Sequence, residues 1–220
     1  MKKKILNKFD KKKMPTLPRA TFGGRIEVVL TENVAEKVVD FLLNQDILGI
    51  DTETRPSFTK GRQYEVSLLQ VSTRDVCFLF RLNHLGLSKS IIRLLEDRSV
   101  PKIGLSLHDD IKALRKRGDF NPGWFIDLQD EVHNIGIQDM SLAKLYANIF
   151  GMRISKREQL SNWEADILTP KQKIYASTDA WACIMLFEEY IRLKDTGDYE
   201  LEIVPEPIAP AITNEETTTT

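Results

Sequence analysis

The chain has 220 residues, of which 42% are hydrophobic and 29% are charged, and its formal net charge is −1. This composition is typical of a soluble globular protein, and the length supplies one sizeable α/β core and little else. No apolar run is long enough to span a bilayer, and the N-terminal lysines are not followed by the apolar stretch of a secretory signal. We therefore expect a cytoplasmic protein with no membrane partner.

The predicted elements form one mixed α/β domain. A basic, proline-containing extended arm is expected over residues 1–22, an ordered domain over 23–195 and an acidic tail over 196–220. Short apolar or β-branched runs predict strands at residues 26–30, 47–50, 66–71, 76–80, 101–105 and 125–127. Apolar residues at helical spacing predict helices at residues 34–43, 88–96, 109–117, 142–150 and 169–194. A hairpin beside a central strand, followed by alternating strands and helices, favours a mixed sheet with helices packed on it.

Charge is distributed unevenly along the chain. Residues 1–25 contain seven Lys and two Arg against one Asp, whereas residues 195–220 contain seven acidic residues and no Lys or Arg. The basic head either contacts phosphates or is a solvated tail, and the sequence does not favour one over the other. The acidic C-terminal segment, which ends in four threonines, is predicted to be disordered.

Two carboxylates, Asp51 and Glu53, follow the apolar run at residues 47–50. In a strand, residues i and i+2 face the same side, so both carboxylates point into one small volume. A hard divalent cation such as Mg²⁺, which prefers oxygen ligands, relieves the repulsion between them. Taken alone, Asp-x-Glu is common, and a solvated strand end explains it more simply.

A phenol and a carboxylate share one face of the last predicted helix. Tyr175 and Asp179 are four residues apart, with the small residues Ala176 and Ala180 beside them. Small side chains allow another backbone to approach the helix closely at this point. Taken alone, the pair is weak evidence of a site, because an ordinary amphipathic helix with Tyr175 at the margin of the core also explains it.

Asp109 and Asp110 open the helix that follows the run at residues 101–105. Carboxylates are favoured at a helix N-terminus as caps and by the helix dipole, which explains one of the pair more easily than both. Ligand sites form beyond the carboxyl ends of the strands in sheets of this kind. We therefore expect Asp110 to share one site with Asp51 and Glu53.

Three short motifs occur in order along the chain. They are Gly-Ile-Asp-Thr-Glu-Thr at 49–54, Gly-Leu-Ser-Leu-His-Asp-Asp at 104–110 and Tyr-Ala-Ser-Thr-Asp-Ala at 175–180. Together they resemble the DEDDy branch of the DEDD exonuclease superfamily, which contains ribonuclease D and the Werner-type exonucleases. The likeness extends over residues 23–193, and the stretch around Trp163 is closer to the Werner type. The resemblance implies an α/β, ribonuclease H-like fold, which is a single domain with a mixed five-stranded sheet flanked by helices.

The resemblance also implies the site residues and the reaction. Asp51, Glu53, Asp110 and Asp179 are implied to hold two divalent cations, Mg²⁺ with Mn²⁺ as a substitute, and Tyr175 is implied to position the attacking water. Asp109 stays an alternative to Asp110 because the two are adjacent. The implied activity is 3′–5′ exonucleolytic hydrolysis of nucleic-acid ends with release of 5′-mononucleotides, with DNA favoured over RNA.

Contacts with the substrate are expected from four residues near these motifs. Thr52 lies between the first two carboxylates, and Leu107 and Trp163 are candidates for contact with a frayed 3′ end, although such residues are more often core. Lys156 is either a phosphate contact or an exposed basic side chain. Two rival functions stay open, which are ribonuclease D-like trimming of RNA 3′ ends and a non-catalytic nucleic-acid-binding module.

Overall fold

Eight strands, seven α-helices and two short 3₁₀ helices make up residues 2–205, the part of the chain that this computed structural model describes. The strands are β1 (Lys3–Leu6), β2 (Arg25–Val29), β3 (Leu48–Thr54), β4 (Val66–Ser72), β5 (Val76–Arg81), β6 (Lys102–Gly104), β7 (Phe125–Asp127) and β8 (Tyr199–Glu202). The α-helices are α1 (Glu32–Leu42), α2 (Leu82–Leu85), α3 (Lys89–Glu96), α4 (Leu107–Arg115), α5 (Leu128–Val132), α6 (Leu142–Phe150) and α7 (Pro170–Thr196). The 3₁₀ helices are Lys11–Thr16 and His133–Ile135.

Strands β2 to β7 form a mixed sheet of spatial order β2-β5-β4-β3-β6-β7. The central strand β3 pairs antiparallel with β4, which in turn forms the predicted hairpin with β5. β6 and β7 continue the sheet parallel to β3 on its other side. The sheet has six strands rather than five, because the run predicted at 26–30 pairs in parallel with the otherwise unpaired edge of β5.

Helices cover both faces of this sheet, as the sequence predicts. Alternate residues of β4 divide between the two faces, with Leu69 and Val71 in the core under α1, α3 and α4, and Leu68 in the core under α7. α5 and α6 complete the second layer beside α7. Among residues 2–205, no helix combines the length and the apolar character needed to cross a membrane.

A capping box fixes where the long helix α7 begins. The Thr169 hydroxyl accepts a hydrogen bond from the Gln172 amide at 3.2 Å, and the Gln172 side chain accepts one from the Thr169 amide at 3.0 Å. Pro170 occupies the first turn, where its missing N–H is not needed. The predicted start of this helix is confirmed. Because side chains follow at a fixed rotation along a helix, the start also determines which α7 side chains face the sheet.

The two ends of the described chain pair with each other. The sequence predicts an extended arm over residues 1–22 and a disordered tail from residue 196, but β1 and β8 form a two-stranded parallel sheet, with Ile5 opposite Leu201. Ile5 is completely buried in the core beside α6 and α7. In β8 the apolar residues Tyr199 and Leu201 alternate with glutamates, so one face of the strand is apolar. In β1 two lysines precede Ile5 and Leu6, and only Ile5 is fully buried. The rest of the predicted tail, residues 206–220, lies outside the described residues.

Ile5→Ala is expected to lower the free energy of unfolding by about 2–5 kcal/mol, because it leaves a cavity in the core. Chemical denaturation of the full chain measures this change. Lys4→Ala is the matched control, since the neighbouring Lys4 side chain is exposed. Equal stability of the two variants would show that β1 does not belong to the folded domain.

Candidate active site

Strand β3 carries two of the acidic residues on one face. Asp51 lies opposite Gln70 of β4, and Glu53 lies opposite Leu68. The sequence predicts both carboxylates beyond the end of the strand, but β3 continues to Thr54 because β4 pairs with it from Gly49 to Thr54. The predicted juxtaposition of the two side chains therefore holds, with a more rigid support than a strand end would give.

A close approach of α7 to β3 brings a third carboxylate to this pair. A Cβ atom at Gly49 would lie 1.9 Å from the carbonyl oxygen of Ala180, so only glycine lets the helix rest directly on the strand. Asp179 precedes Ala180 and faces the same strand. One carboxylate oxygen from each of Asp51, Glu53 and Asp179 lies within 4.8 Å of the other two.

Tyr175 lies one helical turn before Asp179, as the spacing predicts. Its ring packs against the ring of Trp163, with centroids 5.9 Å apart. Burial raises the pKa of Tyr175 above its ordinary value, and the charges of Asp179 and Glu53 raise it further. The phenol therefore stays protonated at neutral pH and acts as a hydrogen-bond donor.

The fourth carboxylate, Asp110, reaches the site from the first turn of α4. Its carboxylate accepts a hydrogen bond from the Thr52 hydroxyl, whereas Asp109 is exposed. The charge of Asp110 also contributes to the raised pKa of Asp51. Of the two adjacent residues, Asp110 is therefore the one that interacts with β3, and it lies outside the compact group of three.

Asp127, at the end of β7, positions the turn before α4. Its carboxylate accepts hydrogen bonds from the amides of Ser106 at 3.0 Å and Leu107 at 2.7 Å. Ser106 has a positive φ of 60°, a conformation that these bonds help to hold. Asp127 is not among the site residues predicted from the sequence. The sequence does indicate it, because Asp127 is a carboxylate at the end of the short strand predicted at residues 125–127.

The four carboxyl groups cannot all ionise together without a positive partner. Burial, together with the charges of Asp110 and Asp179, raises the pKa of Asp51 well above its ordinary value. Burial and the same kind of repulsion raise the pKa of Glu53 to about 10. Burial raises the pKa of Asp179 to about 7 and that of Asp110 to about 6, with hydrogen bonds from Tyr175 and Thr52 respectively opposing the rise. A bound cation would offset the repulsion within such a cluster.

The donor set fits a hard divalent cation. All four candidate ligands are carboxylates, and the buried Oδ1 atom of Asp179 has no hydrogen-bond partner among the described residues. A buried acceptor without a partner is destabilising by itself and is satisfied by a bound cation. Because the group of three is compact and open to a cavity of about 300 Å³, a cation has both ligands and a path of entry.

The predicted substrate contacts divide into two groups. Thr52 and Lys156 border the cavity, together with Asp51, Glu53, Tyr175 and Asp179. Leu107 and Trp163, in contrast, are 4% and 0% exposed, so neither side chain offers a surface to a base. Their expected contact with substrate is corrected to a role in the core, where Trp163 supports the ring of Tyr175. A sequence motif cannot separate these roles, because a large apolar side chain satisfies either.

The family to which this fold and site belong is shown by sequence comparison. Residues 26–192 match the family model described as 3′-5′ exonuclease. This region is well over half of the chain, and the chain belongs to the 3′-5′ exonuclease family. The resemblance to the DEDDy superfamily, drawn from the three motifs, is confirmed.

Individual relatives agree with this assignment. The chain is 28% identical over 175 residues to the mouse bifunctional 3′-5′ exonuclease/ATP-dependent helicase WRN, covering 76% of this chain and 12% of the mouse protein. It is 32% identical over 182 residues to exonuclease 3′-5′ domain-containing protein 2 of Drosophila melanogaster, covering 76% of this chain and 30% of that protein. The chain thus spans less than a third of the length of either relative.

A solved structure confirms the ribonuclease H-like fold class. Ribonuclease D of Trypanosoma brucei, in complex with the RNA U12, superposes with a TM-score of 0.69 at 21% sequence identity. The match covers 79% of this chain and 65% of that one. At this level of identity the likeness establishes the shared fold of a single α/β domain.

Asp51→Asn is expected to stabilise the metal-free protein at pH 8, because it removes one of the crowded carboxylates. The folded-state pKa values are raised, so the folded chain holds more protons than the unfolded chain and loses stability as pH rises above about 4. The gain should therefore shrink toward pH 5. A gain of about 1 kcal/mol corresponds to a rise of about 2–4 °C in Tm.

Thermal melts in EDTA and with Mg²⁺ or Mn²⁺ measure both sides of this effect. Added cation should raise the Tm of the wild type and raise that of Asp51→Asn much less. Asp119→Asn removes an exposed carboxylate elsewhere and serves as the control. A metal-free Asp51→Asn protein that melts below the wild type would contradict the account of repulsion.

Gly49→Ala is expected to force α7 away from β3 and to lower the free energy of unfolding by about 1–3 kcal/mol or more. The cation-induced rise in Tm should fall with it, since the carboxylates of the strand and the helix move apart. Gly23→Ala is the control, because a Cβ at Gly23 has nothing within 4 Å. A fully stable Gly49→Ala protein with an unchanged cation response would exclude this contact as the support of the site.

Proposed function

We propose that the chain is a 3′–5′ exonuclease that hydrolyses phosphodiester bonds at the 3′ ends of nucleic acids and releases 5′-mononucleotides. The observation that carries this proposal is the convergence of oxygens from Asp51, Glu53 and Asp179, with Asp110 beside them, in an open cavity. A non-catalytic binding module has no need of buried carboxylates whose pKa values are strongly raised. Membership of the 3′-5′ exonuclease family supports the same reaction.

Asp51, Glu53, Asp110 and Asp179 would hold two divalent cations, Mg²⁺ in preference and Mn²⁺ as a substitute, because the donors are all carboxylate oxygens. Bound there, divalent cations supply charge neutralisation for a phosphodiester and lower the pKa of coordinated water. The chain itself supplies the rigid placement of the ligands. Strand β3 holds two of them and α7 a third, so little rearrangement is needed when a substrate arrives.

Tyr175 orients the attacking water in this proposal. Its hydroxyl stays protonated, since its pKa is raised by burial and by the nearby carboxylates. A protonated phenol donates a hydrogen bond and does not act as a general base. The ring of Trp163 behind it and the hydrogen bond to Asp179 fix the direction of this hydroxyl.

The 3′-terminal nucleotide enters the cavity between an ionic and an apolar wall. Lys156 lines the ionic wall, and its charge lowers the pKa of Asp179, so it is close enough to interact with a phosphate bound there. Leu105, Met140 and Leu142 line the apolar side. These three side chains take the place of the buried Leu107 and Trp163 as the surface for a base or sugar.

DNA is the preferred polymer in this proposal, because the stretch around Trp163 resembles the Werner-type domains and the chain is 28% identical to mouse WRN. Trimming of RNA 3′ ends is the second candidate. It is favoured by the shared fold with the trypanosome ribonuclease D that binds the RNA U12. The distinction depends on contacts with the 2′-hydroxyl, which only a comparison of the two polymers measures.

Purified protein incubated with 5′-labelled single-stranded DNA and RNA of the same sequence tests the proposal. Shortening from the 3′ end with Mg²⁺ or Mn²⁺, absent in EDTA and in Asp51→Ala, is the expected result, with DNA degraded faster. Faster degradation of RNA would select the second candidate. Retained binding without degradation of either polymer would overturn the proposed activity.

Tyr175→Phe is expected to lower kcat by about 10²-fold, which is the size of effect that loss of reactant positioning produces. KM and the cation-induced rise in Tm should change little, because the carboxylates stay in place. Tyr146→Phe is the control, since Tyr146 is also a buried tyrosine but is not among the residues lining the cavity. Equal kcat values in the two variants would remove Tyr175 from the mechanism.

A further inference from the structure

A second, cationic cleft adjoins the active site at Tyr175. It has a volume of about 100 Å³ and is lined by Arg19, Ser155, Arg157, Glu158, Lys171 and Tyr175. Tyr175 also borders the cavity of the carboxylate cluster, so the two depressions meet at this side chain. Three cations face one carboxylate in the cleft, which gives it a net positive charge beside the acidic centre.

The three cations come from three separate segments of the chain. Arg19 belongs to the N-terminal segment, Arg157 to the loop after α6, and Lys171 to the first turn of α7. All three side chains are exposed, and none forms an ion pair with any residue between 2 and 205. Cations that converge without internal partners remain available for an external anion.

The position of Arg19 is fixed by backbone contacts. Arg153 donates its amide to the Pro18 carbonyl at 2.9 Å and accepts from the Ala20 amide at 2.9 Å, so Arg19 sits between two hydrogen bonds. The Arg153 side chain also donates to the Leu17 carbonyl at 3.0 Å. Ala20 itself is buried. These contacts fix the backbone on both sides of Arg19, which lines the cleft beside Tyr175.

Arg19 lies outside residues 26–192, the region that matches the exonuclease family. We infer that the N-terminal segment completes a phosphate-binding cleft, in which Arg19, Arg157 and Lys171 bind the sugar-phosphate backbone of the single strand whose 3′ end occupies the active site. This inference rests on the proposed exonuclease function for the identity of the strand. It also assigns a phosphate-binding role to one cation of the basic segment at residues 1–25, Arg19, which lines the cleft.

The charge of the cleft gives it its function. A single strand whose 3′ end lies in the active site carries further phosphates outside it, and cations near the entrance hold these phosphates while the end is positioned. Each cation that neutralises a phosphate of a single strand adds about 0.7 to the slope of log binding constant against log salt concentration. The number of working cations is therefore directly measurable.

Fluorescence anisotropy of a labelled 12-nucleotide single strand, titrated with the full chain in EDTA at several salt concentrations, tests the inference. Arg19→Gln should weaken binding and lower the salt slope by about 0.7, and the triple variant with Arg157→Gln and Lys171→Gln should lower it by about 2. Lys37→Gln removes one exposed charge from α1 and is the control for net charge. Unchanged melting temperatures verify that each variant is folded.

The outcomes separate this inference from the proposed function. If the wild type shortens oligonucleotides with Mg²⁺ but Arg19→Gln keeps the slope and affinity of Lys37→Gln, the cleft is overturned and the exonuclease stands. If the slope falls as expected but no polymer is degraded with any cation, the exonuclease fails and the phosphate cleft stands.

Discussion

The candidate site depends on one steric constraint, which is the direct contact between the backbone of Gly49 in β3 and the carbonyl of Ala180 in α7. Any side chain at Gly49 would hold the helix off the sheet. The contact brings Asp179 to the same place as Asp51 and Glu53, although more than a hundred residues separate the helix from the strand. The capping box at Thr169 and Gln172 acts with it, because it sets the rotation of α7 and so decides which side chains meet the strand.

This packing brings like charges together in a buried place, which by itself opposes folding. The apolar cores on both faces of the sheet supply the favourable free energy that makes such a cluster possible. Burial raises the pKa values of all four carboxyl groups and of Tyr175, and the charges of neighbouring carboxylates add to the rise at Asp51, Glu53 and Tyr175. The buried Oδ1 atom of Asp179 has no hydrogen-bond partner among residues 2–205. A bound cation would offset this repulsion. The free energy by which the repulsion destabilises the metal-free protein would then contribute to the binding of the cation.

Local signals in the sequence predicted the positions of most elements, because strand and helix periodicities and capping residues act over a few positions. That Asp51, Glu53, Asp110 and Asp179 form one set was implied by the resemblance to the DEDDy exonucleases, since each local pattern had a simpler explanation by itself. Local signals failed where tertiary context decides. Leu107 and Trp163 have the chemistry of a base-stacking surface but lie in the core, and β1 and β8 look like charged tails until they pair with each other. The hydrogen bond from Thr52 to Asp110, which the adjacent Asp109 does not share, is likewise a contact between distant segments that local patterns do not predict.

The pairing of the chain ends has a consequence for the active site. β1 is held by β8 and by the core, and the chain between β1 and β2 is bound to Arg153, so the N-terminal segment is fixed at several points along its path. A segment fixed in this way loses little conformational entropy when it meets a ligand, whereas a free basic tail would lose much of its binding energy to ordering. Placing Arg19 on a rigid segment at the entrance, rather than beside the carboxylates, also avoids neutralising the cluster that must hold the cations. The structure thus separates two electrostatic tasks, an acidic centre for metal and a cationic rim for the strand, by assigning them to different segments that meet at Tyr175.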